Sequence, residues 1–536
     1  MHKPVSLFTL AAATIVACWW WLGAPVPMPP SPLASGEKLY CISYAPFRGL
    51  QTPLDFSMRV EAWQIEEDLA ELAKVTDCIR TYSVDVGLDQ VPEIAQRHGL
   101  KMLLGIWVSS HPDRTKYQIE TGVALVNRFP DTIRAVVVGN EALLRGEISA
   151  AKLREYITSV KQQVKAPVTY ADVWEFWQKN RELASAVDFV TAHILPYWED
   201  DPISADKAAE HIGAIRKRIA EDFPGKEILI GEFGWPSAGR MREGALPSPS
   251  TQARVLADVL KRGKQDGFRV NLIEAFDQPW KRYLEGTVGG HWGILDDATR
   301  RPKFAWGAPV SNHPNWIWQA AGGVALAAVV FVMATLAARR SRKDDPPDNR
   351  AWIAIALSAV AGGVFIGWTI ENIPVESLGV WAWIRSLAFA AVAIGAPIAA
   401  AAALAASRPV PAFGELIGPR AQRVRGALSV TLGFLLIVLT VLAVQAALAL
   451  SFDPRYRDFP FAPMTAAAVP FLLLSLTGAR AEGARFLAEM AAALVLTLCA
   501  AFIVWNETLA NWQALWFAAT LVALAISLAR GRAAPG

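Results

Sequence analysis

Between residues 36 and 312, short apolar runs alternate with stretches whose apolar positions recur every three to four residues. The runs LYCISYAP, DCIRTYS, KMLLGIWV, IRAVVVGN, PVTYAD, VDFVTAHI, KEILIGEF and RVNLIEAF read as eight strands, with helices between them. In AWQIEEDLAELAK, Trp63, Ile65, Leu69 and Leu72 form the apolar stripe, and Glu66, Glu67, Asp68 and Glu71 take the remaining surface. Eight such strands over about 275 residues predict an α/β fold, a closed (β/α)8 TIM barrel with parallel strands. An open doubly wound sheet is the rival, disfavoured because no Gly-rich phosphate loop follows the first strand.

Beyond Pro314 the pattern changes to apolar runs of roughly 20 residues, enough to cross a ~30 Å hydrocarbon layer. They fall near 316–338, 351–370, 384–406, 427–451, 461–477, 486–505 and 512–529, the fifth being the shortest. The expected organisation is therefore an N-terminal signal anchor and linker (1–35), a barrel domain (36–312) and an all-α transmembrane domain of about seven helices (313–536). The leading run from Val5 to Gly23 follows Lys3 and carries Trp19, Trp20 and Trp21. Without a clean small-residue cleavage site nearby, it reads as an anchor rather than a cleaved peptide.

Charge supplies an orientation. Arg339, Arg340, Arg342 and Lys343 follow the first C-terminal span, Arg408, Arg420, Arg423 and Arg425 the third, Arg480 and Arg485 the fifth, and Arg530 and Arg532 the last. The alternate loops lack basic residues except for Arg455 and Arg457. Basic residues collect on the cytoplasmic side, so the barrel domain is expected on the periplasmic face of the inner (plasma) membrane. The net charge of +3 is largely accounted for by these arginines and gives no case for a nucleic-acid partner. Of four cysteines, Cys18 and Cys499 lie in apolar spans, while Cys41 and Cys78 begin the first two strands and are expected to be buried thiols.

In a barrel, the residues at the C-terminal strand ends converge on one open face. Here they are Tyr44, Arg80, Tyr82, Trp107, Asn140, Glu141, Asp172, Trp174, His193, Tyr197, Trp198, Glu232, Trp235, Glu274, Asp277, Trp280 and Lys281. Carboxylates with flat aromatic rings suit a carbohydrate cleft better than an apolar cofactor pocket. Two glutamates ending the fourth and seventh strands can act as the acid/base (Glu141) and nucleophile (Glu232) of a retaining glycosidase, with the pKa of Glu141 raised by its neighbour and Asn140 on the sugar 2-hydroxyl. His193 could touch the site but reads more often as a packed barrel histidine, and Trp107, Trp174 and Trp198 read equally as rim or packing residues or as sugar platforms.

These motifs resemble glycoside hydrolase family 17, the β-1,3-glucanase and glucanosyltransferase family, over about residues 38–297. LIGEFGWPSAG looks like the family's nucleophile signature, with Phe233 in place of a small residue. VGNEALL, IRTYSVD, EAFDQPWK and HWGIL are similar to further family segments, whereas HILPYW has Leu195 where many relatives carry tyrosine. The resemblance implies Glu141 as acid/base, Glu232 as nucleophile, and Tyr44, Arg80, Tyr82, Asn140, Tyr197, Trp235, Glu274, Lys281 and Glu285 as cleft residues. The strand-end reading adds Asp172, Trp174 and Trp280 to these. A barrel of this kind followed by several spans resembles the family's bacterial membrane subgroup named for β-(1,6)-glucan synthesis.

The expected function is a retaining β-glucan transglycosylase that forms branched, elongated or cyclic β-(1,3)/(1,6)-glucans through a covalent glucosyl-glutamate. A β-1,3-glucan hydrolase and a non-catalytic glucan-binding or export component are the alternatives. A nucleotide-sugar synthase is disfavoured by the lack of an Asp-x-Asp or Q-x-x-R-W element. Expected partners are a β-glucan, the lipid bilayer and a glucan synthase in the same membrane; no metal or cofactor is implied.

Overall fold

The computed structural model describes residues 2–341, 347–417, 426–477 and 487–530. They form two compact units, one of Val26–Gly239 with Gly244–Val310, the other of Met1–Pro25, Arg240–Glu243 and Ser311–Gly536.

The first unit is the expected barrel. Strands β1 (Cys41–Ser43), β2 (Cys78–Arg80), β3 (Lys101–Ile106), β4 (Ile133–Asn140), β5 (Val168–Val173), β6 (Val190–His193), β7 (Ile228–Phe233) and β8 (Val270–Leu272) pair in parallel in sequence order. The ring closes where β8 meets β1, with Ile42 opposite Leu272. Closure leaves no sheet edge, which is how short strands of three residues remain fully paired. Register shifts fall between Met102 and Leu103 on β3, Val137 and Asn140 on β4, Ala192 and His193 on β6, and Ile230 and Phe233 on β7. The last three lie toward the C-terminal ends, where an irregularity re-aims side chains.

Helices Ala62–Leu72, Val91–Arg97, Pro112–Arg128, Ala150–Lys161, Trp174–Lys179, Ala208–Asp222 and Pro249–Asp266 occupy the connections. Their starts carry the expected caps in two cases: Ser149 accepts from the Lys152 N–H, and Ser248 from the Thr251 N–H. In Ala62–Leu72 the buried face is Gln64, Ile65, Asp68, Leu69 and Leu72. Burying each of the three aliphatic side chains contributes about 1.5–3 kcal/mol. Trp63, expected in that stripe, is exposed, and Asp68, expected outside, is fully buried. The reason is local charge: Asp68 takes ion pairs from Arg48 and Arg300 and a hydrogen bond from Tyr44, so a buried carboxylate replaces an apolar contact.

The barrel interior holds Cys41, Cys78, Leu103, Ala135, Val137, Ala171 and Leu229. Cys41 and Cys78 are joined as a disulfide, correcting the expectation of free thiols. Neighbouring parallel strands seldom permit the bond, but here the two Cα atoms approach to 4.3 Å.

In the second unit, seven helices among the described residues are long and apolar enough to cross a membrane: Lys3–Gly23, Trp316–Arg340, Asn349–Glu376, Gly379–Ala405, Ala427–Phe452, Leu487–Glu507 and Trp512–Ala529. Phe461–Thr477 is apolar but shorter. Their core is rich in alanine, and small residues bring backbones together: a Cβ on Gly323 would lie 2.1 Å from the Gly363 carbonyl oxygen. Arg342, Lys343, Arg420, Arg423, Arg425, Arg480, Arg485 and Arg532, used above for orientation, lie outside the described residues.

Candidate active site

β4 delivers Asn140 and, one residue beyond its end, Glu141, whose φ of 52° lies in the left-handed region. That conformation costs an ordinary residue about 1–2 kcal/mol and must be held by its surroundings. The Glu141 N–H donates to the Ala171 carbonyl at 2.8 Å, and the Arg145 side chain donates to the Asn140 carbonyl. Tyr170 Oη accepts from the Leu143 N–H at 3.0 Å and donates to Asp172. Opposite, β7 is buried throughout and carries Glu232, 4% exposed. The glycines flanking Glu232 are spatial requirements, since a Cβ on Gly231 would lie 2.3 Å from Thr191 Cγ2, and one on Gly234 2.1 Å from the Ile273 carbonyl oxygen.

A carboxylate oxygen of Glu141, one of Glu232 and a ring nitrogen of His193 lie within 4.8 Å of one another. Retaining glycosidases hold their carboxyl groups roughly 5–5.5 Å apart, whereas inverting ones leave about 6.5–9.5 Å for a water. Arg80, fully buried, ties the pair together: its Nη1 donates to the Gly231 carbonyl at 2.7 Å and to Glu232 Oε1 at 3.1 Å, and its Nη2 donates to Asn140 Oδ1 at 2.5 Å. Tyr82 Oη lies 2.9 Å from the same Oε1 and 2.9 Å from Ser43 Oγ. Burial, then the negative charge of Glu232, pushes the Tyr82 hydroxyl well above its usual value, so it acts as a donor.

His193, a strand-end residue that reads more often as a packed barrel histidine but could touch the site, has a fully buried ring that places Nδ1 2.9 Å from Glu141 Oε1 and Nε2 3.6 Å from Glu232 Oε1. The sequence signal was its place at a strand end; the register shift beside it, which sets it opposite Glu232, was not legible. It also reverses an expectation about Glu141. Burial pushes that carboxyl up, but the hydrogen bond and charge of His193, with Arg145 and Arg80, outweigh burial and hold it below the usual carboxylate value. The Glu141, His193 and Glu232 atoms have the spacing of a metal site, but the Arg80 guanidinium already neutralises the Glu232 oxygen, so the donor set suits proton chemistry rather than a cation.

A second acidic group stands at β8. Glu274, 1% exposed, accepts from Lys281 Nζ at 2.8 Å, while its buried Oε2 has no hydrogen-bond partner among the described residues. Glu285, in the short helix Arg282–Glu285, is half-buried and packs over Gly289, where a Cβ would lie 2.5 Å from its own. Burial, only partly offset by Lys281, raises both carboxyls to about 7.

Other expected cleft residues are placed differently. Tyr44 is 1% exposed and its hydroxyl serves Asp68. Asp172 is fully buried, raised by burial to about 6, and accepts from Tyr170 and the Val173 N–H. Trp235 is fully buried and donates to the Leu246 carbonyl, and the buried Tyr197 ring packs edge-on against Trp198, Trp235 and Trp292. These four support the walls instead of presenting a free face to a sugar. Trp174 and Trp280 are half-buried, their indole N–H groups donating to Glu199 and Gln278. Asp277 pairs with Lys303; burial works against its charge, but Lys303 and His291 hold it low.

Residues 41–293 match the family model described as the BtgE/BtgC glycoside hydrolase domain. The protein named "Probable beta-glucosidase btgE" of Aspergillus fumigatus is 30% identical over 225 residues, covering 41% of this chain and 39% of that one. "Putative glucan endo-1,3-beta-glucosidase btgC" of Aspergillus niger is 29% identical over 292 residues, covering 48% and 42%. The chain thus spans about two fifths of the length of these curated relatives. The crystal structure of a glycoside hydrolase family 17 beta-1,3-glucanosyltransferase from Rhizomucor miehei shares 26% identity, with a TM-score of 0.44, over 49% of this chain and 95% of that one. The matched span covers the barrel strands and both glutamates.

Proposed function

We propose that the barrel is a retaining β-glucanosyltransferase acting on β-1,3-glucan. The observation that carries this reading is the approach of the Glu141 and Glu232 carboxylates within 4.8 Å at the ends of β4 and β7. Arg80 and Tyr82 both donate to Glu232 Oε1, so Oε2 is the oxygen left to attack the anomeric carbon. Arg80 occupies Asn140 Oδ1, leaving the amide N–H2 as the end that donates to the sugar 2-hydroxyl. Glu141 protonates the leaving oxygen as the C1–O bond breaks and an ester to Glu232 forms. It then takes the proton of the acceptor hydroxyl as that oxygen displaces the ester.

If the acceptor is a second glucan, the product is branched, elongated or cyclic; if it is water, the reaction is hydrolysis. The names of the Aspergillus relatives favour water and supply the second reading. Incubating the full chain in detergent with laminari-oligosaccharides, without nucleotide sugar, and weighing the products distinguishes them. Products longer than the donor are expected; only shorter ones would establish hydrolysis, and products that require UDP-glucose would refute both.

The barrel is further proposed to lie outside the cytoplasm, bound to the bilayer by the apolar helices and adjacent to a glucan synthase. The Cys41–Cys78 disulfide is what an oxidising compartment allows, and Arg339 and Arg340 end the helix Trp316–Arg340 on what would be its cytoplasmic side. Protease added to intact spheroplasts is expected to digest the barrel; protection until lysis would place it inside.

A further inference from the structure

Among the described residues, His193 touches both proposed catalytic carboxylates, and the cleft is shaped around it. Gly231 on the adjacent strand gives the ring its space, since a Cβ there would lie 3.1 Å from His193 Cδ2. Every strand packed against the ring presents a charged or polar group to it. β4 brings Glu141 at 2.9 Å, β7 brings Glu232 at 3.6 Å, and β2 brings Arg80 Nη1 at 3.5 Å from Nε2. From β5 the charge of Asp172 acts on the ring; Arg145 acts on Glu141, and Tyr82 shares Glu232 Oε1.

An imidazole nitrogen and a carboxylate oxygen at 2.9 Å share one proton with two places to sit. Attack by Glu232 requires that proton on Glu141, whereas attack by the acceptor requires Glu141 without it. The geometry points to His193 as the proton store of the acid/base: a positioning residue that holds the proton on Nδ1 in the resting cleft, passes it to Glu141 Oε1, and receives it back. The inference rests on the reading of Glu141 and Glu232 given above.

The balance closes over one turnover. The proton moves from Nδ1 to Oε1 and then to the glycosidic oxygen as the C1–O bond breaks and the Glu232 ester forms. The acceptor oxygen then bonds to C1, the ester bond breaks to regenerate the Glu232 carboxylate, and the acceptor's proton goes to Glu141 and back to Nδ1. Nε2 meanwhile remains 3.6 Å from Glu232 Oε1.

A proton that can bind either of two sites is held by the sum of their binding constants, so the ring and carboxylate together keep it to higher pH than Glu141 alone. The test is His193→Asn in the full chain, because Asn can still donate to Glu141 but does not titrate. Two donors are compared: a laminari-oligosaccharide, whose leaving oxygen needs a proton, and a dinitrophenyl laminaribioside, whose leaving group does not. The loss of kcat/KM is expected to be at least about tenfold greater for the oligosaccharide. The alkaline limb of its pH profile is expected to move down by at least about half a pH unit. Equal losses on both donors with an unmoved limb would show a merely structural role and overturn the inference.

Should His193→Asn fail to fold, the wild-type chain still decides. A far-downfield ring N–H proton resonance that disappears in Glu141→Gln is expected; its absence at the active pH would refute the proton store. A wild-type chain inactive on both donors is a separate result, refuting the glycosidase reading itself.

Discussion

The cleft holds two pairs of acids that differ in what surrounds them. Glu141 and Glu232 meet Arg80, His193, Tyr82 and Arg145, all donors or cations. Glu274 and Glu285 have Lys281 between them, and one oxygen of Glu274 is left without a hydrogen-bond partner among the described residues. Burial works against the charge of both pairs, yet it wins in the second pair, raised to about 7, and loses at Glu141, held below its usual value. Donor count, rather than depth, decides which carboxylate stays ionised, and that separates a pair ready for nucleophilic chemistry from one that changes charge near neutrality.

The comparison breaks most sharply at Glu232. Glu232→Gln removes the carboxylate proposed to attack while keeping the acceptor for Arg80 and Tyr82, so the fold is expected to persist and turnover to fall by more than the roughly 10²–10⁴-fold that a proton-transfer group supplies. Rates on laminari-oligosaccharides, with circular dichroism as the folding control, check this; activity within tenfold of wild type would remove the nucleophile assignment. Glu141→Gln ranks next, with a loss of about 10²–10⁴ on oligosaccharides and a much smaller one on a dinitrophenyl glycoside. Equal losses on the two would mean that Glu141 is not the acid.

Much of this site was legible beforehand because it rests on period and position. Eight apolar runs with helices between them specify a parallel ring, and a ring brings strand ends together, so Glu141 and Glu232 follow from place alone. What escaped is whatever depends on side-chain direction and register. Tyr44, Tyr197 and Trp235 have the residue types of sugar platforms, but nothing in their spacing distinguishes a ring facing the cleft from one sealed in the wall. His193 gained its role from a one-residue register shift that no alternation pattern records. Asp68 was misassigned because helical periodicity ranks residues by polarity, and does not register the two arginines whose charge offsets part of the cost of burying this carboxylate.

Lys281→Met sharpens the contrast on the other side. Lys281 lowers both Glu274 and Glu285 against the effect of burial, so its loss lets them keep their protons to still higher pH. An inflection in kcat/KM near pH 7 is expected in the wild type and is expected to move upward by about one pH unit in the variant. A profile that keeps its inflection in place would dissociate these carboxyls from the cleft chemistry.

The smallest effect is on stability, and its sign is opposite to that of a salt-bridged carboxylate. Glu274 and Glu285 are near 4.5 in the unfolded chain and about 7 in the folded one, so between those values the folded state binds more protons. Stability from these groups is therefore fully present below about 4.5, declines as pH rises through the interval, and is constant above about 7. Glu141 and Asp277, held low, act in the other direction but only in more acidic solution, below the ordinary carboxylate range. In the window from pH 5.5 to 7.5 the raised pair dominates, and thermal unfolding of the barrel is expected a few degrees higher at pH 5.5. Glu274→Gln, which holds a neutral side chain beside Lys281 at every pH, should flatten that slope; an unchanged slope would mean that Glu274 is ionised throughout and that the two acidic pairs are alike.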